Sequence, residues 1–476
     1  MHKSRPFLGP LLIACSTVLA GVPAWAQPMP ESASQPAFTP ADEEAVQLLS
    51  AYLKIDTTNP PGNEAGAASF FKTVFDREGI ENQVFESAPG RASIVARLKG
   101  SGQKKDVVLL NHMDVVPADK STWKVDPFSG KVQDGYVWGR GAIDMKGMAI
   151  AELAAMLQLK RSGIPLKGDV IFIGTADEEA GGEMGAGYMV REHSDLIKNA
   201  GTVINEGNLI IAKADGAAAY YGVSTMEKTP LWLKLTATGT PSHGSTPAAQ
   251  TAVTKLVDAL SKVRDWQTPI MVVPVVRKFY ADIARFAATP ALQQGQKNLA
   301  EALKDPQFRA EFLQAPVKNA LVRNTVAITM LEGSNKINVV PTRASAQLDV
   351  RLLPGEDPDR FIGSLKEVMS DPSIQVEKIL SFPSTASPQE SEFHRAVSRI
   401  AAVYDPGVPV TTQLSSGFTD CHFFREKGIP CYGFMPFKLT LQELASFHGN
   451  NERLSLSNVA FGRRFLHELV ERLAAE

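Results

Sequence analysis

Cysteine is scarce here: Cys15, Cys421 and Cys431 are the three in 476 residues. With Cys15 inside an N-terminal leader, two remain, so at most one intrachain disulfide is available. Two buried thiols are the plainer expectation, although export would permit a bond. An excess of positive charge is also missing. Forty-nine basic residues face fifty-one acidic ones, for a net charge of −2, and no Lys/Arg-rich run could track a phosphate backbone. Nucleic acid is excluded as a partner. No internal repeat occurs at solenoid periods. The composition, 44% apolar and 21% charged, is that of a soluble globular protein rather than a disordered chain or membrane bundle. Its length calls for two or three domains.

The N-terminus carries Lys3 and Arg5, an apolar run from Phe7 to about Val18, and Ala24-Trp25-Ala26 before Gln27. This pattern predicts a signal peptide over residues 1–26 and an exported protein, periplasmic or secreted. The run is too short to span a membrane as a mature helix, so no transmembrane segment is expected in the mature chain. Leu12-Ile13-Ala14-Cys15 has a second reading, a lipobox anchoring the protein through Cys15. Residues 27–40, rich in Pro and Ser, read as a flexible leader.

Thr39 is placed to cap and Pro40 to open a helix reaching about Leu53. A second helix is expected from Glu64 to Glu78, with strands at Ser93–Leu98 and Val107–Leu110. Gln133-Asp134-Gly135 signals a hairpin. A strong helix follows at Met145–Arg161, with buried strands at Val170–Thr175 and Thr202–Asn205. Alternation at this spacing predicts an α/β domain with a largely parallel sheet flanked by helices, over 41–226 and 385–476. Between these parts, over 227–384, the order strand, helix, strand, strand, helix, strand predicts a smaller α+β two-layer domain. The elements are Leu231–Thr238, Ala248–Val263, Thr325–Leu331, Ala344–Leu352, Asp357–Met369 and Gln375–Leu380. A helical insertion at about 267–323 interrupts them.

Chemistry concentrates where strands end. Residues two apart on an extended chain share a face, so His112 can bind a metal while Asp114 buttresses its imidazole, although His-x-Asp also occurs in ordinary polar loops. Asp144, at the mouth of the Met145 helix, reads either as an N-cap or as a carboxylate bridging two metals. Asp177-Glu178-Glu179 crowds three negative charges beside a buried strand end, which is costly without a cation; the alternative is a solvated acidic turn. Because neighbouring side chains diverge, one Glu can hold metal while the other serves as general base. Glu206 follows a strand and His448 stands in Phe447-His448-Gly449. Ligands of open α/β sheets gather at the carboxyl ends of strands, and two His with three carboxylates suit a dinuclear zinc site.

The stretches Ile55-Asp56-Thr57-Thr58-Asn59-Pro60-Pro61-Gly62, His112-Met113-Asp114-Val115-Val116-Pro117, Trp138-Gly139-Arg140-Gly141-Ala142-Ile143-Asp144-Met145-Lys146-Gly147, Asp177-Glu178-Glu179, and His448 with Glu452 occur in that order. They resemble the motifs of the two-zinc metallopeptidase family containing aminoacylase, glutamate carboxypeptidase G, succinyl-diaminopimelate desuccinylase and carboxypeptidase S. The resemblance covers residues 41–476. It is closest to the carboxypeptidase S and secreted N-acyl amino acid hydrolase branch.

With the export already expected, the resemblance implies a hydrolase that cleaves an amide next to a carboxylate, in small peptides or N-acyl amino acids. It implies two Zn2+ per chain, for which Co2+ or Mn2+ can substitute. Asp144 would bridge them, with His112 and Glu206 on one and Glu179 and His448 on the other. Glu178 would be the general base, and the Asp144–Met145 peptide would be cis. The 227–384 domain would be a lid through which the protein forms a homodimer. Gly239-Thr240-Pro241-Ser242-His243-Gly244-Ser245 resembles the lid's histidine motif, with His243 as oxyanion donor; outside the resemblance, a surface-loop histidine is the ordinary reading. Asn338-Val339-Val340-Pro341 and Asp349-Val350-Arg351 resemble its second motif. Arg351, Asn338 and Gly417 of the Ser416–Asp420 turn are the candidate substrate contacts. Phe418 stands where many relatives have Gly. A catalytically silent binding protein on the same scaffold is the rival, and an intact Glu178, which no metal needs, argues against it.

Overall fold

The computed structural model describes residues 38–476. The expected signal segment 1–26, Cys15 with its anchoring alternative, and the leader as far as residue 37 lie outside the described residues. Thr39 accepts the Asp42 N–H and Asp42 answers the Thr39 N–H at 2.8 Å, closing a capping box on helix Pro40–Leu53, with Pro40 in its first turn. The helix buries Ala45, Val46, Leu49, Tyr52 and Leu53.

The main sheet draws on strands β1 (Glu81–Ala88), β2 (Arg91–Leu98), β3 (Asp106–His112), β6 (Val170–Thr175), β7 (Ala200–Ala212) and β8 (Ala218–Glu227), with the hairpin β4 (Lys131–Gln133) and β5 (Tyr136–Trp138) between β3 and β6. The chain continues through β9 (Thr229–Thr238), β10 (Ser242–His243), β11 (Thr325–Glu332), β12 (Val339–Val340), β13 (Arg343–Leu352) and β14 (Gln375–Ser381). It ends with β15 (Val410–Ser415), β16 (Cys431–Leu439) and β17 (Arg453–Ser455). The eight-stranded sheet has the order β1-β2-β6-β3-β7-β16-β8-β15. The pairs β6–β3, β3–β7, β7–β16 and β8–β15 are parallel, and the β1–β2 edge is antiparallel. Every residue of β3 and β6 is buried, as continuous apolar runs between two helical layers require. Helix Lys146–Ser162 buries 13 of its 17 residues, so it lies inside the molecule rather than along its surface.

A second sheet, β11-β13-β9-β14, is antiparallel throughout. Leu231, Leu233, Leu235 and Ala237 alternate along β9 into a core shared with helices Ala252–Asp265 and Pro358–Met369. The opposite face carries Trp232, which lines a cleft between the sheets. The insertion forms helices Pro274–Ile283, Pro290–Lys297, Leu299–Ala302, Pro306–Leu313 and Pro316–Leu321. They build their own apolar cluster, which also takes in Leu414 of edge strand β15 and Leu353 beyond β13, so the insertion touches both sheets' surroundings.

Three details differ from expectation. The strand expected at Thr202–Asn205 continues to Ala212. The helix expected from Ala248 starts at Ala252, where Thr251 caps it. Cys421 and Cys431 are not two thiols: a disulfide joins them, because the start of helix Cys421–Glu426 packs on the first residue of β16.

Candidate metal centre

His112 is the last residue of β3, and its ring is 1% exposed. Its Nε2 lies 3.2 Å from Asp144 Oδ1 and 3.5 Å from Glu206 Oε1. On the other side of Asp144, His448 Nε2 lies 3.0 Å from Oδ2 and 3.3 Å from Glu179 Oε2. Two ligand sets therefore share one carboxylate: His112, Asp144 and Glu206, and Asp144, Glu179 and His448. Asp144 does not cap the following helix, whose N-cap is Met145, and the Asp144–Met145 peptide is cis.

Asp114 acts from behind. Its backbone carbonyl is the 3.0 Å partner of His112 Nδ1, with Oδ1 3.4 Å from the same nitrogen, while its two carboxylate oxygens accept the backbone N–H groups of Glu178 and Glu179, each at 3.1 Å. One residue thus orients an imidazole and fixes the acidic turn. Asn59 Nδ2 donates to Asp114 at 2.8 Å. Asp177, at φ +74, swings the next two residues toward the site, and Arg91 at 2.7 Å and the Met184 N–H at 3.0 Å hold its carboxylate there.

Electrostatics separate the four carboxylates. Burial pushes Glu178, Glu179 and Glu206 above the usual range, and neighbouring carboxylates push further. Burial opposes ionisation of Asp144 too, but hydrogen bonds from His112 and His448 hold it below the usual range. Hydrogen bonds to Asp144 and Glu179 push His448 up to about 10. Among the described residues, no Lys or Arg forms an ion pair with any of the four, and Glu179 Oε1 is buried with no hydrogen-bond partner. Such a donor set, imidazole nitrogen and carboxylate oxygen around a shortage of positive charge, fits divalent cations. Glu178 differs from the rest: its carboxylate pairs with no imidazole, and it lines the cleft. Its oxygen nevertheless falls within reach of a third potential group, with His112 and Glu179.

The cleft above has a volume of about 940 Å³. Asp144, Glu178, Glu179, Glu206 and His448 lie at its floor, and Val116, Pro117, Trp232, Met330, Leu348 and Phe418 supply apolar walls. Arg351 and Gly417 also line it. Arg351 forks onto Asp349 through Nε and Nη2, stacks 4.9 Å from the Phe418 ring, and leaves Nη1 buried without a partner. His243 and Asn338 are not brought to the cleft. His243 lies exposed on β10 with its Nδ1 2.8 Å from Ser245 Oγ, and Asn338 is exposed beside it, its carbonyl accepting the Gly244 N–H.

Several contributors went unassigned in the sequence reading. Asn59 and Glu452 lie inside sequence motifs that give them no role of their own. Asp420, buried and accepting the Thr175 hydroxyl at 2.7 Å, has its carboxyl pushed up to about 7 by burial. Arg91 and Trp232 carried no local signal.

A profile of peptidase family M20/M25/M40 matches residues 108–472. The chain belongs to this family. The matched span contains every candidate ligand from His112 to His448 and leaves out the Asn59 loop behind Asp114. Among relatives of the M20/M25/M40 chain, mouse N-fatty-acyl-amino acid synthase/hydrolase PM20D1 is 29% identical over 419 residues, covering 84% of this chain and 80% of that protein. Rat aminoacylase-1B is 28% identical over 450 residues, covering 91% and 96%. In fold, the M20 family metallo-carboxypeptidase Sso-CP2 from Sulfolobus solfataricus matches with a TM-score of 0.70 at 20% identity, over 90% of this chain and 99% of that one. As an M20/M25/M40 member the chain is an enzyme, a hydrolase with peptidase and amidohydrolase relatives.

Proposed function

We propose that the protein is an exported two-zinc hydrolase that cleaves an amide bond adjacent to a carboxylate, in N-acyl amino acids or small peptides. The observation that carries this reading is the division of labour among four carboxylates. Asp144, Glu179 and Glu206 each lie within 3.5 Å of an imidazole nitrogen, whereas Glu178, in wider reach of His112, makes no such close contact. Asp144 would bridge the ions, with His112 and Glu206 holding one and Glu179 and His448 the other. When bound, the zinc pair would supply a Lewis acid for the scissile carbonyl and lower the pKa of a water toward about 7.

The chain's own residues do the rest. Glu178 takes the proton of the water that attacks the carbonyl carbon and returns it to the leaving nitrogen as the C–N bond breaks. Asp114 holds His112 and the Glu178 backbone in place. Arg351, through its unpartnered Nη1, and the Gly417 turn receive the substrate carboxylate. Asn338, beside His243, is assigned to the same substrate end. The apolar walls support an apolar group on the acyl side, in line with the names of the mouse and rat relatives.

In the same reading, 41–226 and 385–476 form the catalytic domain and 227–384 the lid. The exposure of His243 supports an oxyanion role delivered to a neighbouring copy rather than to its own cleft. Edge strand β11, with Ile328, Met330 and Leu331 exposed, and Val253 and Val257 on helix Ala252–Asp265 support a homodimer through the lid. The Cys421–Cys431 disulfide supports an oxidising compartment. No helix among the described residues is long and apolar enough to cross a membrane.

Metal analysis together with hydrolysis of a panel of dipeptides and N-acyl amino acids tests this reading. Two zinc ions per chain and turnover abolished by chelation are expected; zinc bound without turnover of any amide would instead favour a silent binding protein. The shared site has its own test. Glu178→Ala and His243→Ala homodimers should each be nearly inactive, and random subunit exchange should recover about one quarter of wild-type activity if sites act independently. A monomer, or no recovery after demonstrated exchange, would sink the shared site and leave the zinc chemistry standing.

A further inference from the structure

Glu452 is fully buried, and the hydrolytic scheme above does not use it. Its Oε1 accepts the N–H groups of Ile143 at 2.7 Å and Asp144 at 3.0 Å. Its Oε2 accepts the Gly141 N–H at 3.0 Å and Arg140 Nη1 at 2.8 Å. The Glu452 carbonyl in turn accepts the Gly139 N–H at 3.1 Å. Four of the six backbone N–H groups of residues 139–144, up to that of the candidate bridging residue itself, therefore end on Glu452.

Arg140 extends the clasp. Its Nη2 donates to the Gly449 carbonyl at 2.9 Å and to the Pro117 carbonyl at 3.4 Å, and its guanidinium lies 5.2 Å from the Trp123 ring centre. Three loops that follow or carry His112, Asp144 and His448 thus meet on one ion pair. The last of them needs holding: His448 and Asn451 both stand at positive φ, +52° and +62°, a conformation that persists in non-glycine residues only where the surroundings enforce it. The pair is neutral as a unit, so it organises the centre without adding charge to a site already crowded with carboxylates.

We propose that Glu452 is a positioning residue for metal affinity: it sets the Asp144 carboxylate against His448, so that both candidate ion sites hold their spacing before a cation arrives. The proposal rests on the two-metal reading above. Chemistry requires a carboxylate at this position, because four donors and no acceptor converge on it. An amide keeps one oxygen and turns an NH2 group toward N–H donors.

Glu452→Gln and Arg140→Lys test this against Asp42→Asn, which breaks a buried ion pair elsewhere (Asp42 with Arg463 at 2.8 Å). Chelator competition reads zinc affinity, the cobalt(II) absorption spectrum reads ligand geometry, and melting of metal-free protein reads stability. In Glu452→Gln, zinc affinity should fall by about 10- to 100-fold. Its cobalt spectrum should differ from wild type, and kcat should fall more than KM rises. Arg140→Lys keeps the charge but cannot fork onto Glu452 and Gly449 together, so a smaller loss in the same direction is expected. Asp42→Asn should lower the melting temperature and leave zinc affinity and the cobalt spectrum unchanged. If Glu452→Gln does not fold, Arg140→Lys carries the test with the same readouts. Zinc affinity and cobalt spectra equal to wild type in the folded variants, or an affinity loss no larger than that of Asp42→Asn, would overturn the proposal. Wild-type protein that takes up no zinc would overturn the two-metal reading, and this inference with it.

Discussion

Buried carboxylates occur in two settings in this molecule, and they are balanced differently. Where helix Pro40–Leu53 meets helix Leu456–Ala474, Asp42 has two guanidinium partners, Arg463 and Arg464. Burial alone would raise its carboxyl, but hydrogen bonds from Arg464, Thr39 and Arg463 hold it down at about 2. Glu64, Glu452 and Glu227 are each paired with a guanidinium too, Arg91 at 2.8 Å, Arg140 at 2.8 Å and Arg425 at 3.0 Å, although burial outweighs the pairing at Glu64, pushed up to about 7, and at Glu452. Beyond the end of β6, in the middle of β7 and before helix Lys146–Ser162, four carboxylates have only two imidazoles among them and, among the described residues, no Lys or Arg ion pair. A chain that supplies arginine to Asp42, Glu64, Glu227 and Glu452 and withholds it from four carboxylates crowded together has left that charge to something other than protein. The contrast identifies the cation-binding region more firmly than any single distance does.

Substitutions can break this contrast, and the largest effect is expected from Asp144→Ala. Because both ligand sets share Asp144, that variant should lose both metals and with them measurable turnover; retention of two zinc ions would end its bridging role. Next comes Glu178→Ala, which should keep metal content near wild type while turnover drops by at least about 10²-fold. Zinc loss in step with activity would move Glu178 into the ligand set, as its proximity to His112 and Glu179 allows.

A smaller change is expected at the cleft wall. Phe418→Gly should shift preference among N-acyl amino acids of different acyl bulk by about tenfold, the scale of one or two apolar contacts, and leave zinc affinity unchanged. An unaltered preference series would remove Phe418 from the substrate wall. The smallest effect concerns acid stability and the balanced region. Asp42 has a folded pKa below its unfolded one, so its contribution is present above about pH 4 and is lost as pH falls toward 2. Asp42→Asn should be less stable than wild type near neutrality, the gap closing over that window in chemical denaturation. A gap constant with pH would contradict the charge pairing.

Part of the centre was legible in the sequence because some of its residues come from short stretches at strand ends. His112 ends a strand and Asp114 lies two residues beyond it, and Glu178 and Glu179 follow a continuous apolar run. The supports were less legible. Glu452 acts on backbone N–H groups more than 300 residues earlier in the chain, and no side-chain pattern announces a partner made of peptide groups. Arg91 reaches Asp177 across 86 residues, and the two cysteines meet only because a short helix packs on β16. His243 is the reverse case: its motif was readable, yet within one chain it lies away from the cleft. The insertion's helical character was evident from composition, whereas its packing on Leu414 and Leu353 depends on which strand forms the sheet edge.

The most direct test of the missing-charge account is a calorimetric zinc titration of chelator-treated protein, followed by metal analysis of the dialysed product. The account predicts two equivalents per chain in the wild type, proton release on binding, and no binding in Asp144→Ala. Saturation at one equivalent or none, or uptake undiminished in Asp144→Ala, would contradict it.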